Sequence, residues 1–135
     1  MTSLRPTVVM YVLAVLGVLV SGYLFLAKVA NQFFCPIGEC QQVNDSVYAY
    51  IGPLPVSLIG VSYYLFLLAL LLFVQSDQTG ILRRVLEISL FLGLIYSVYL
   101  TYVELFVLNA VCMWCVSSFL IVIGLNGIYF FARVR

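Results

Sequence analysis

Four cysteines are the residues of this chain best suited to redox chemistry, and they fall into two pairs. Cys35 and Cys40 form one. Cys112 and Cys115, in the run Cys112-Met113-Trp114-Cys115, form the other. The second pair is a CxxC. Residues i and i+3 of a helix share a face, so two thiols so placed can close a small ring. The first turn of a helix offers the positive end of its dipole, which lowers a thiol pKa and yields the thiolate that attacks disulfides. The first pair lies around Pro36 and Gly38. A loop of that composition can close its own disulfide or, if mobile, reach Cys112. Two exchangeable pairs, one mobile and one fixed at a helix start, make an electron relay. Two other readings use the same residues without turnover. One is a set of structural disulfides, and the other is a four-thiolate zinc site, for which CxxC spacing is familiar. Metal is disfavoured by the lack of polar neighbours at a membrane boundary. The chain has no histidine, which excludes Ser-His-Asp and Cys-His catalysis and the common His-bearing metal sites.

The elements that must position these thiols follow from composition. Of 135 residues, 65% are hydrophobic and only 8% charged, against about 25% charged in an ordinary soluble domain. Lipid is the natural solvent for such a chain. The net charge of +1 comes without a basic run, so nucleic acid is not an expected partner. Four apolar segments approach the ~20 residues needed to cross ~30 Å of hydrocarbon. They run over about residues 7–27, 54–74, 85–106 and 110–132, with an external loop over 28–53. The first is too long, and lacks the small-residue site, for a cleavable signal peptide. The reading is all-α: a polytopic membrane protein, one domain over 1–135, built as a four-transmembrane-helix bundle with a short external surface helix near 43–51. Arg5, Arg83, Arg84, Arg133 and Arg135 fall on one side of this topology and only Lys28 on the other. The positive-inside rule then makes both termini cytoplasmic in a multi-pass cell-membrane protein. All four cysteines map to the external side, where an oxidising compartment lets disulfides form.

Several further residues have two readings each. Asp45 or Ser46 could cap the surface helix, and Asn109 is placed to cap the fourth span. Glu104 sits near the outer boundary, where a carboxylate could relay a proton but is more simply interfacial. Gly60, Gly93 and Gly124 suit close helix approach.

Beyond these patterns, the sequence resembles the vitamin K epoxide reductase family in its bacterial and archaeal disulfide-forming branch. The resemblance is carried by Cys35…Cys40, by Ser46 six residues later, and by Gly52-Pro53-Leu54-Pro55-Val56-Ser57-Leu58-Ile59-Gly60. It continues through Tyr99-Leu100-Thr101-Tyr102-Val103-Glu104 into the CxxC. It implies a four-helix bundle around a quinone of the menaquinone or ubiquinone type. It also implies a relay in which a thioredoxin-like partner, secreted or membrane-tethered, delivers electrons to Cys35/Cys40. These pass to Cys112/Cys115, and Cys115 gives them to the quinone. By the same resemblance Cys35 meets the partner and Cys40 attacks Cys112, although the residues themselves leave either loop cysteine able to do either job. Ser46 would hydrogen-bond a cysteine sulfur. Trp114, Phe119, Val56 and Tyr102 would line the quinone, with Trp114 and Tyr102 equally suited to a headgroup belt. At Phe119 and Val56 the animal enzymes carry a tyrosine and an asparagine. Their replacement points away from epoxide reduction and toward simple quinone reduction.

Overall fold

Four runs of apolar side chains, each long enough to cross a bilayer, decide the architecture. In a computed structural model of the chain they become α1 (Leu4–Ala30), α3 (Val56–Phe73), α4 (Ile81–Tyr102) and α5 (Met113–Val134), with a short α2 (Cys40–Asn44) after the first. The structure describes the chain apart from residues 1–3, 33, 36–37, 39 and 135, and apart from the side chains of 4–5, 40–41 and 132–134. The segments Pro6–Ala30, Val56–Ser76, Ile81–Val107 and Met113–Phe131 are long and apolar enough to span a membrane. The chain is therefore the expected all-α, four-span bundle.

The helix bounds depart from the hydropathy reading, because charge ends an apolar run without ending a helix. α4 starts at Ile81 and takes in Arg83 and Arg84. Asp77 prepares that start: its Oδ1 accepts the backbone N–H and the hydroxyl of Thr79, and its Oδ2 accepts the N–H of Leu82. At the other end of the bundle, Leu54–Pro55 is not helix but a short strand β2, antiparallel to β1 (Tyr50–Ile51), with Tyr50 opposite Pro55. Gly52 turns the chain between them at φ +62. The surface helix expected over 43–51 is likewise broken, into α2, a 3-10 turn over Val47–Ala49, and β1. α5 starts at Met113 rather than near 110. Asn109 stands in the left-handed region at φ +50, in the connection before the helix, so it is not the cap.

The main core joins the four long helices through residues such as Met10, Tyr64, Leu67, Leu86, Leu90 and Leu125. Glycines allow the aromatic members in. A Cβ at Gly93 would lie 2.0 Å from the Tyr63 hydroxyl oxygen, which donates to the Ser89 carbonyl at 2.9 Å. A Cβ at Gly17 would strike the Tyr64 ring at 2.3 Å. Gly60 stands over Ser21, and Gly124 against Leu13, as expected of close-approach positions. α1 lies along α3 and α5, and α4 along α5, whereas α3 and α4 meet only sparingly. That slack opens a cavity on the cysteine side of the bundle. Leu19, Leu72, Phe91 and Phe131 point outward and exposed. In water such a surface would drive association, whereas against acyl chains it is matched to its solvent.

Candidate redox site

The CxxC is built around a helix cap. Cys112 stands just before α5, and its carbonyl accepts the Val116 N–H at 3.0 Å, the first bond of the helix. Its Sγ accepts the backbone N–H of Cys115 at 3.4 Å, which is the third helical N–H, the bond that a serine or aspartate oxygen makes at a cap. Cys112 is fully buried, and a second donor reaches it: Asn44 Nδ2 lies 3.7 Å from the same sulfur. The Cys112 thiol is held below its ordinary pKa, chiefly by the hydrogen bond from the Cys115 thiol, aided by the Cys115 and Trp114 N–H groups and opposed by burial. Both CxxC cysteines are free thiols, while Cys35 is disulfide-bonded.

The loop carrying Cys35 is docked rather than loose. Gly38 pairs with Cys112 in an isolated antiparallel bridge. A side chain there is excluded twice: φ is +98, and a Cβ would lie 2.2 Å from the Val111 carbonyl oxygen. Phe34 is clamped from two sides. Trp114 Nε1–H donates to its carbonyl at 2.8 Å, and its own N–H donates to the Tyr23 hydroxyl at 2.7 Å. The Tyr23 and Trp114 rings meet at 4.6 Å. Beyond the loop, Lys28 donates to the Asn44 carbonyl and places its ammonium 3.8 Å above the Tyr50 ring. Cys35 thereby packs against the cluster of Leu24, Val43, Ala110 and Cys112. The side chain of Cys40 lies outside the described residues.

Below the thiols, α4 does not run straight into the connection. Val103–Val107 forms a π-turn, with the Leu108 N–H donating to the Val103 carbonyl at 2.9 Å. Such widened turns recur at functional sites because they change which side chains face inward. Here Glu104 turns into the bundle with 4% of its surface exposed, while Leu105 and Phe106 remain outside. The interfacial position expected for Glu104 is thus corrected. Its carboxylate faces the Cys112 backbone N–H and the Cys115 thiol. It lines a cavity of about 360 Å³ whose wall also includes Cys115, Val56, Ser57, Phe119 and Ser46.

The expected site residues therefore divide. Cys115, Val56 and Phe119 share the cavity wall. Trp114 and Tyr102 do not belong to it: Trp114 is spent on Tyr23 and Phe34, and Tyr102 is more than half exposed and stacks on Phe106 at 5.0 Å. Both sit on helical faces turned from the cavity, which aromatic character alone could not reveal. Ser46 reaches the wall, but its hydroxyl donates to the Val43 carbonyl at 2.7 Å and makes no cap bond. The residue beside the Cys112 sulfur is Asn44, which sequence reasoning passed over. A polar residue within the apolar face of a short amphipathic segment was the available signal.

A dithiol buried at the lipid boundary, under a docked disulfide loop, defines a membrane thiol oxidoreductase. Residues 8–129, nearly the whole chain, match the vitamin K epoxide reductase family, and the chain belongs to that family.

Proposed function

We propose that the protein is a quinone-dependent thiol oxidoreductase that generates disulfides, oxidising a thioredoxin-like partner and reducing a membrane quinone. The observation that carries this reading is the cavity itself: it is mostly apolar, lies between the helices of the bundle, and has Cys115 in its wall. Its size of about 360 Å³ lies in the range of small-molecule pockets, ~300–1,000 Å³. Two polar atoms in that wall, Ser57 Oγ and Glu104 Oε2, are buried without a partner among the described residues. Both residues line the cavity, where a flat ligand with oxygens at its edges would lie beside them. Val56, Ser57, Leu100 and Phe119 would hold a quinone of the menaquinone or ubiquinone type. When bound it supplies an acceptor for two electrons and two protons.

The remaining steps belong to the chain. The loop disulfide accepts electrons from the partner's dithiol through a mixed disulfide. The freed loop thiolate attacks the Cys112/Cys115 disulfide at Cys112, and the docking through Gly38 and Trp114 holds the two pairs together for that exchange. The cap donors on Cys112 stabilise it as the leaving thiolate when the loop disulfide re-forms. Val56 and Phe119 offer no hydrogen bond from the positions where the animal enzymes carry polar groups, which favours quinone reduction over epoxide reduction.

The deciding experiment mixes reduced protein with a short-chain quinone without oxygen and follows quinol formation optically. Stoichiometric quinol is expected from the wild type and none from Cys115→Ala. Absence of quinol from the wild type, or turnover by Cys115→Ala, refutes the reading.

A further inference from the structure

We propose that Glu104 is the proton acceptor of the Cys112/Cys115 pair, taking the thiol proton of Cys115 at the cavity wall, an inference that rests on the thiol-oxidase reading above. Its placement is otherwise hard to account for. The side chain is 96% buried, and its Oε2 has no hydrogen-bond partner among the described residues. Carboxylates are almost never so deeply buried unless paired. No arginine or lysine lines the cavity, so Glu104 is not half of an ion pair there. The other titratable groups of that wall are Tyr48, Tyr63, Tyr64, Tyr96 and Cys115, and none of them is a cation at neutral pH. Cys112 faces Glu104 from the α5 side, through its backbone N–H.

The two thiols are served differently. Backbone and amide N–H groups converge on the Cys112 sulfur and stabilise it as a thiolate. The Cys115 thiol instead carries a single proton, for which the Cys112 sulfur and the Glu104 carboxylate are alternative acceptors. Of these two acceptors Glu104 alone borders the cavity. A thiol must lose its proton before it can act as a nucleophile, and a base within hydrogen-bond reach is the recognised means. The step is Cys115–SH plus Glu104–COO⁻ going to Cys115–S⁻ plus Glu104–COOH. Closure of the Cys112–Cys115 bond then releases two electrons to the quinone-class acceptor. Two protons accompany them, one carried by Glu104 and one drawn from solvent, since Cys112 enters as the thiolate. The π-turn is what holds the carboxylate in this register.

The test needs no quinone, so it stands apart from the quinol assay. In a Cys112→Ser background, the alkylation rate of Cys115 by iodoacetamide is followed against pH, with Cys115 read by mass spectrometry. With Glu104 present, the thiolate forms by internal transfer, so the rate levels to a plateau once the carboxyl is ionised. In Glu104→Gln the proton must leave to solvent, and the rate climbs about tenfold per pH unit with no plateau, as thiolate supply dictates. Glu104→Asp, which keeps a carboxylate and guards against misfolding of the amide variant, restores a plateau at a lower height. A plateau that survives Glu104→Gln, or none with Glu104 present, overturns the proposal. If the quinol assay fails while the plateau depends on Glu104, the acceptor is wrong and the proton transfer stands.

Discussion

At the scale of single residues, the two thiols of the CxxC are made unequal by what donates to them. Asn44 is a test of this. Its Nδ2 is one of two N–H donors on the Cys112 sulfur, 3.7 Å away. Removing a hydrogen bond to a charged group costs about 1.5–3 kcal/mol, so Asn44→Ala should lower the Cys112 thiolate fraction at fixed pH by roughly tenfold or more. Thiolate absorbance of the reduced protein would show it, and an unchanged titration would remove Asn44 from the site. A pH dependence of stability follows from the same shift. Folding lowers the Cys112 pKa. Its contribution to stability is therefore complete above the unfolded thiol value, about 8.5, and is lost as pH falls through the lower folded value. Thermal midpoints of the dithiol protein should decline over that window, while the Cys112–Cys115 disulfide form, which has no thiol there, should lack this component. The cysteines themselves were legible from type and spacing. Asn44 was not, because it is brought to Cys112 from 68 residues away.

At the scale of elements, a loop, a cap and a π-turn build the site. The loop is the least tolerant of change. Gly38→Ala adds a Cβ against the Val111 carbonyl in a backbone conformation that disfavours side chains. A strained position of this kind costs on the order of 1–3 kcal/mol. We expect undocking of the loop: slower transfer from the Cys35 pair to the CxxC in stopped-flow measurements, with direct oxidation of the CxxC by quinone largely kept. Equal slowing of both steps would instead indicate general misfolding. The helices were readable from apolar runs, though their ends were not. Arg83 and Arg84 sit inside α4, and Leu54 and Pro55 sit in a strand. Helix ends are decided by caps and turns such as Asp77 and Cys112.

At the scale of the whole molecule, four spans line a cavity on the side where the cysteines gather. The basic residues, five on one face of the topology and one on the other, predict by the positive-inside rule that this side faces outward. Intact cells treated with a reductant and then a membrane-impermeant thiol reagent should therefore label Cys35. Labelling only after the cells are opened would invert the topology.

The amino-acid sequence alone was enough for the solvent of this protein, the number of its spans, its family and its four cysteines. These depend on composition and short spacings, which no packing can change. The tertiary structure decided which residues meet. It turned Glu104 inward through a π-turn, brought Asn44 to Cys112, and sent Trp114 and Tyr102 away from the cavity. Such matters depend on the rotation of one helix against another and on single-residue changes of register. A linear pattern of apolar and polar letters does not encode them visibly.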